Sequence, residues 1–385
     1  MRILLLLVAM ALTAHLWAAE PSVTVSIQPL SHHPSDIPPH VGHDCVNQQA
    51  SLNTGAITYG LQYSACWDKA HETGSGFLEG YLGMPQPSSA NWYAGGFLGL
   101  KINGVDIGAT RLSDLWIAEQ GQRGNLKFFW DTPQAGVTIS LVALPGDDRL
   151  FAGVVIHPKT EIKSLSLRLL SYPSYFTSWN KRDGDRKIMT ATQTYPQADG
   201  KPLTLNPSSQ WWLAVYDTIF DPDKGEGDGG AAVAFVPEQV TALTATVGSY
   251  ACPLELEYKP DTRVIRLCFW DFNKHGNEES LTKLKATVGP TLELLKGFEF
   301  APLALTQYEV GPKIAGAKGQ LGNLPGGEGL LAKLTTQGEE LQRLQKQVRE
   351  GLSPTPAADE KTLQEKLAAF EQLLWDVRFF VLLNG

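Results

Sequence analysis

The chain is 385 residues long, carries 32 basic and 40 acidic side chains for a formal charge of −8, and is 43% apolar. That acidic balance excludes a protein working mainly by gripping nucleic-acid phosphates, which demand a basic surface. The length allows a large core and exceeds the usual single domain, although all-β architectures run long as one unit.

Met1 and Arg2 precede an uncharged apolar run, Ile3 to Leu12, and a small-residue end at Ala18 and Ala19. This is the three-part layout of a secretory signal peptide, so residues 1–19 are read as a leader, and a secreted or periplasmic destination is expected. The run is short for a bilayer span, and no membrane span beyond it is expected. Past the leader, "SHHPSDIPPHVGHDC" brings together His32, His33, His40 and His43. Imidazole is the common ligand of zinc and copper, but this proline-broken spacing matches no compact site and reads as an extended arm.

Cys45, Cys66, Cys252 and Cys268 are an even set in a chain bound for an oxidising compartment. Proximity favours a Cys45–Cys66 disulfide, whereas Cys252–Cys268 stays open. "CPLELEY" and "RVIRLCF" flank "KPDT" and read as a hairpin whose even loop sets Leu256 opposite Ile265 and Leu254 opposite Leu267. In that register Cys252 and Cys268 lie on opposite faces, so a bridge needs a bulge or a three-residue loop.

Residues 20–308 read as a β domain. "GFLGLKI" and "VDIGA" are joined by Asn103-Gly104, a strong hairpin signal. "SLSLRLL" alternates Leu165, Leu167 and Leu169 with Ser164, Ser166 and Arg168, and "TKLKATV" alternates Leu284, Ala286 and Val288 with Lys283, Lys285 and Thr287. A period of two marks strands with one buried and one wet face. Between Pro21 and Leu305 roughly 15 mostly antiparallel strands in two packed sheets are expected, with no helix of useful length among them.

Two loops in this region carry candidate chemistry. Trp92-Tyr93 in "SSANWYAGG" and Tyr172, Tyr175, Phe176 and Trp179 in "SYPSYFTSWNKRDGDRK" put flat aromatic faces near Asn180, Arg182 and Asp183. A sugar ring packs its C–H face on an aromatic and offers hydroxyls to planar polar groups, so these residues form a candidate carbohydrate platform; the competing reading is core packing. "FDPDKGEGDGG" follows "WWLAVYD" and gathers Asp217, Asp221, Asp223 and Asp228 among glycines as candidate calcium donors. An EF-hand starting at Asp221 fails, because Glu226 and Ala232 stand where Gly and a bidentate Glu belong. A solvated strand connection is the competing reading. G-x-S-x-G, H-E-x-x-H, Walker and C-x-x-C patterns are missing from the sequence.

Beyond Tyr308, residues 309–329 are dense in glycine, with Pro312 and Pro325, and read as a linker. The period then changes. Leu330, Leu334, Leu341, Leu344 and Val348 form one helical stripe; Leu363, Leu367, Phe370, Leu374, Val377 and Val381 form another after "SPTP". Residues 330–385 are therefore expected as a helical hairpin, packed on the β domain or self-associating through its apolar second helix.

A secreted chain with a long antiparallel β body and aromatic, acidic loops resembles the supersandwich proteins related to galactose mutarotase, over about Pro21 to Leu305 and by architecture rather than motif. It also resembles the secreted β-rich proteins of bacteria, a likeness that implies no activity. The first resemblance implies binding or rearrangement of carbohydrate and assigns no catalytic residue here. The expected function is carbohydrate binding in an aromatic and acidic cleft, with calcium the cofactor its carboxylates would take. One alternative is a polysaccharide hydrolase, lyase or epimerase, in which two of Asp183, Asp185, Asp217, Asp221 and His157 converge; another is an assembly protein of the cell envelope.

Overall fold

The computed structural model describes residues 21–34, 42–67, 77–174, 182–322, 324–351 and 353–384. The expected leader lies outside them. Twenty strands come first: β1 Thr24–Ile27, β2 Ser31–Pro34, β3 Asp44–Asn53, β4 Thr58–Trp67, β5 Phe77–Gln86, β6 Leu98–Ile102, β7 Val105–Asp106, β8 Asp114–Glu119, β9 Gly124–Asp131 and β10 Ala135–Ala143. They continue with β11 Arg149–Pro158, β12 Leu165–Ser171, β13 Arg186–Thr190, β14 Thr194–Pro196, β15 Leu203–Leu205, β16 Trp212–Asp217, β17 Ala231–Phe235, β18 Val240–Ala245, β19 Cys252–Tyr258 and β20 Val264–Asp271. Helices α1 Asn277–Lys296, α2 Leu303–Thr306, α3 Val310–Leu321, α4 Gly327–Glu350 and α5 Pro356–Asn384 follow.

The strands make two sheets. One runs β1-β3-β4-β5-β6-β12-β19-β18-β15, with β2 on β3 and β7 on β6; the other runs β14-β13-β16-β17-β20-β11-β10-β9-β8. Every pairing among the described strands is antiparallel. The inner faces meet in one core that includes Leu61, Leu100, Leu167, Leu169, Ile139, Val154, Leu254, Leu267 and Phe269. This is the two-sheet β fold expected from the alternating patterns. Leu165, Leu167 and Leu169 face that core while Arg168 stays outside. Asn103 and Gly104, at φ 52° and 79°, close the β6–β7 hairpin with Ile102 opposite Val105.

Three expectations fail, each for a physical reason. The proposed 252–269 hairpin does not form: β19 pairs with β12 and β18, and β20 with β11 and β17. Leu254 and Leu256 do meet the same core as Ile265 and Leu267, but from the opposite sheet, so their alternation reported a shared core and not a shared ladder. Cys252 and Cys268 are accordingly buried thiols on different sheets. Burial pushes the Cys252 thiol up to about 12, which leaves it inert. The favoured Cys45–Cys66 disulfide is formed, across directly opposed positions of β3 and β4.

"TKLKATV" lies in helix α1, not in a strand. Its buried side is Ser280, Leu284, Val288, Thr291 and Leu295, a spacing of three and four that the short window hid. The glycine-rich stretch also contains a helix, α3, whose Val310, Ala317 and Leu321 are buried and whose Ile314 packs beside them. Gly338 of α4 allows the approach, since a Cβ there would lie 2.4 Å from Ile314 Cδ1.

The described helices pack on the side of the nine-stranded sheet. α1 and the strap through Phe298 and Phe300 bury the outward side chains of the nine-stranded sheet, among them Trp270, Cys268, Ala234 and Phe151. Helices α3, α4 and α5 share a separate core with Leu334, Leu341, Phe370 and Val377. This bundle docks on the β8–β9 edge through Glu360, which accepts from Trp116 Nε1 at 2.7 Å and forms a buried ion pair with Lys127. At its far end α5 leaves Trp375, Phe379, Leu382 and Leu383 exposed. Among the described residues no helix is long and apolar enough to cross a membrane.

Candidate functional site

The outer face of the eleven-stranded sheet is not covered by these helices. Because Leu167 and Leu169 point inward, Ser166, Arg168 and Leu170 point outward. Arg168 sits opposite Gly99 of β6 and Glu255 of β19, with its Nε 3.3 Å from Glu255 Oε1. Ser166 sits between Lys101 and Glu257 in the adjacent row. Partial burial raises the Glu255 carboxyl, a shift that Arg168 and Lys101 oppose only in part. The result is a polar ladder running across the strands.

Aromatic rings close one end of it. Tyr93 lies 4.7 Å from Tyr172, and Tyr172 lies edge-on to Tyr250 at 5.1 Å. Desolvation, then Tyr250 and Tyr93, push the Tyr172 hydroxyl up to about 12 against the pull of Arg168. The rings and the guanidinium thus share one electrostatic neighbourhood. Tyr93 is raised in the same way by burial, then by Tyr250 and Tyr81.

Between β5 and β6 the sheet opens. The two strands share a single register pair, Leu82 with Leu98. The chain between them folds back over Gly83, where a Cβ would come 1.8 Å from Ala94 O. The gap is a cleft of about 520 Å³ with Tyr81, Gly99, Lys101, Asp106 and Arg168 on its walls. Its floor is Trp130, which reaches through from the opposite sheet, is 2% exposed, and has an indole N–H without a hydrogen-bond partner among the described residues.

The residues singled out from sequence are distributed differently. Tyr172 belongs to the tyrosine cluster. Trp92 does not: it is fully buried, donates its N–H to Trp270 O at 3.0 Å and packs edge-on to Phe269 at 5.0 Å. Trp92 is a core residue, and its polar neighbours in sequence disguised that. Arg182 pairs with Glu226 at 2.5 Å over the Phe220 ring, and Asp183 is exposed. Tyr175, Trp179 and Asn180 lie outside the described residues.

The four carboxylates proposed for calcium turn to different partners. Asp217 is fully buried, and its Oδ1 accepts from the backbone N–H groups of Ile219 and Phe220 at 2.8 and 3.0 Å. Asp221 Oδ1 accepts from Asp223 N and from Asn277 N, while Asn277 Nδ2 donates to Asp217 O. The loop therefore serves the first turn of α1, whose N-cap is Gly276 and supplies no side-chain acceptor. Asp228 accepts from Ser88 Oγ at 3.2 Å, and Asp223 is exposed beside Gly276. Calcium needs six to eight oxygens around one point; among the described residues no group of three or more His, Cys, Asp or Glu is arranged to hold a metal.

The acid–base set fares similarly. Asp185 is taken by Lys187 at 2.7 Å and Thr218 at 2.6 Å, and the Lys187 bond leads the forces holding its carboxyl below the usual range. His157 stands on β11 opposite Gly136, in the nine-stranded sheet. Sequence reasoning missed Tyr81, Tyr250, Lys101, Glu255 and Trp130 as a group, because only pairing across strands joins them. The alternation around Arg168 was the one available signal.

No protein-family model and no curated protein matches the chain. Solved structures to which it is similar include an α-galactosidase from Geobacillus stearothermophilus, with 12% identity, a TM-score of 0.33, and coverage of 59% of this chain and 41% of that one. An α-N-acetylgalactosaminidase from Bifidobacterium bifidum is 11% identical, with a TM-score of 0.36 and coverage of 70% and 40%. An α-mannosidase from Enterococcus faecalis is 8% identical, with a TM-score of 0.38 and coverage of 73% and 41%. This chain spans less than half the length of each. Likeness at this level carries no inference about its chemistry.

Proposed function

We propose that this protein binds carbohydrate on the uncovered face of the eleven-stranded sheet, with a sugar ring seated in the cleft between β5 and β6. The observation that supports the reading is a cleft in the sheet face that sets the aromatic rings of Tyr81 and Trp130 beside the polar side chains of Lys101, Asp106 and Arg168. A sugar presents an apolar C–H face for aromatics and a ring of hydroxyls for donors and acceptors, and this cleft offers both. Its volume of about 520 Å³ suits one or two rings. The Cys45–Cys66 disulfide supports a setting outside the reducing cytosol. Calcium has no part in this reading.

Native affinity electrophoresis through gels containing a panel of neutral and acidic polysaccharides tests it. Retardation by at least one glycan is expected, lost in Arg168→Ala and in Tyr81→Ala and unchanged by a chelator. Absence of retardation by every glycan, or full retention of it in both variants, overturns the reading.

A further inference from the structure

A second pocket lies at the loop end of the sandwich, where β20 runs into α1. It holds about 320 Å³ and is walled on its apolar side by Ile57, Pro87 and Phe272. Two buried polar groups line it. Asp271, 5% exposed, uses Oδ1 to accept from Asn91 Nδ2 at 2.9 Å and Asn273 N at 3.0 Å, and the Ser88 backbone N–H also lowers its carboxyl, while its Oδ2 makes no hydrogen bond of good geometry among the described residues. Ser280, 3% exposed, likewise has a hydroxyl without a partner among them.

Other polar groups stand at the rim. Lys283 pairs with Asp148, and His275 Nδ1 lies 3.6 Å from Glu279 Oε2. No ion pair reaches Asp271 among the described residues. Leaving a buried carboxylate oxygen and a hydroxyl open costs stability, which the sequence had a simple way to avoid: an apolar residue at either position. A ligand that supplies several N–H donors and a positive charge satisfies both groups and holds Asp271 as the carboxylate, whereas burial alone keeps that carboxyl protonated up to about pH 7. A neutral hydroxyl supplies one donor and no charge.

We infer that this pocket receives a primary ammonium group on a small organic ligand, with its N–H donors taken by Asp271 Oδ2 and Ser280 Oγ and its carbons against Ile57, Pro87 and Phe272. The site is independent of the sheet-face cleft, so Arg168→Ala leaves it unchanged.

Ligand-observed NMR titration of the full chain with three probes tests the assignment. Ethanolamine carries the ammonium, ethylene glycol replaces it by a neutral hydroxyl, and choline keeps the charge but has no N–H. Ethanolamine is expected to bind with an affinity on the order of millimolar, as befits four heavy atoms, with choline about tenfold weaker and ethylene glycol undetected. Asp271→Asn is expected to weaken ethanolamine about tenfold or more and Ser280→Ala by a smaller factor, with a circular dichroism melt confirming that each variant folds. Should Asp271→Asn fail to fold, Ser280→Ala and the three-probe ranking decide. Equal binding of ethanolamine and ethylene glycol, no binding of ethanolamine, or full affinity in Ser280→Ala overturns the inference.

Discussion

On the nine-stranded sheet the outward positions of β16, β17 and β20 carry Trp212, Ala214, Ala232, Ala234, Cys268 and Trp270, all buried under α1 and the strap that follows it. On the eleven-stranded sheet the outward positions of β12 and β19 carry Ser166, Arg168, Glu255 and Glu257, which keep contact with water. Both sheets present the same pleated backbone. What differs is whether the second face has a partner, and the strand sequences encode that: "WLAVYD" and "AAVAF" are buried at every position, whereas "LSLRLLS" and "CPLELEY" alternate. The described helices leave this second face uncovered, and the tyrosine cluster and the β5–β6 cleft lie there.

The sharpest way to break this comparison is to truncate the covered face. Phe151 is fully buried and stacks on Phe298 at 4.2 Å. Phe151→Ala should cost about 3–5 kcal/mol by urea denaturation, since it leaves a cavity between sheet and strap. A cost below about 1 kcal/mol would mean that the strap is not bound to the sheet as described.

The bundle's docking is the next test. Lys127 and Glu360 are a buried pair with side-chain exposures of 6% and 8%. Removing one partner strands the other, so Lys127→Ala should destabilise by about 3 kcal/mol, and Lys127→Met with Glu360→Leu should recover most of that loss. If the double variant is no better than the single one, the pair is not what joins bundle and sandwich.

How far the sequence revealed this layout depends on the range of the interaction. Alternation is local, so the wet face of Arg168 and the two-sheet class were legible, as was the Asn103-Gly104 turn. Leu254, Leu256, Ile265 and Leu267 show the limit: two strands that face each other across a core have the same pattern as two that share a ladder. In α1 and α3 the helical stripe was masked by a seven-residue window and by glycines. The site depended on contacts beyond any local pattern. Trp130 reaches the cleft from the opposite sheet, and Asp271 is joined to Asn91 from a loop 180 positions away. The acidic loop was conspicuous in sequence, yet its carboxylates hold backbone N–H groups at the start of a helix that had not been anticipated.

A pH series separates the loop end from both faces. Burial pushes the Asp271 carboxyl up to about 7, and the Asn91 amide and nearby backbone N–H groups only partly oppose it. The folded state then holds a proton that the unfolded chain, with an ordinary carboxyl near 3.8, has already released. This contribution to stability is fully present below about pH 4 and is lost as pH rises toward about 7. From about pH 5 to about pH 8 the folded state should lose about 2–3 kcal/mol through this group. Asp271→Asn should flatten that slope in thermal melts and raise the melting temperature more at pH 8 than at pH 5. An unchanged slope would show that the carboxyl ionises normally.

The smallest expected effect is on the uncovered face, and it decides the comparison. Arg168 and Glu255 have half-exposed side chains, 52% and 49%, and form their ion pair where water screens it. Such pairs contribute at most about 1 kcal/mol, so Arg168→Ala and Glu255→Ala should each change the denaturation free energy by less than that, with less effect still at high salt. The glycan retardation proposed above should nevertheless disappear in Arg168→Ala. A covered face shows the opposite ratio, since its variants lose stability first. If Arg168→Ala costs as much stability as Phe151→Ala, then Arg168 is supporting the fold, and the polar ladder is a structural element of the sheet and not a surface held open for a ligand.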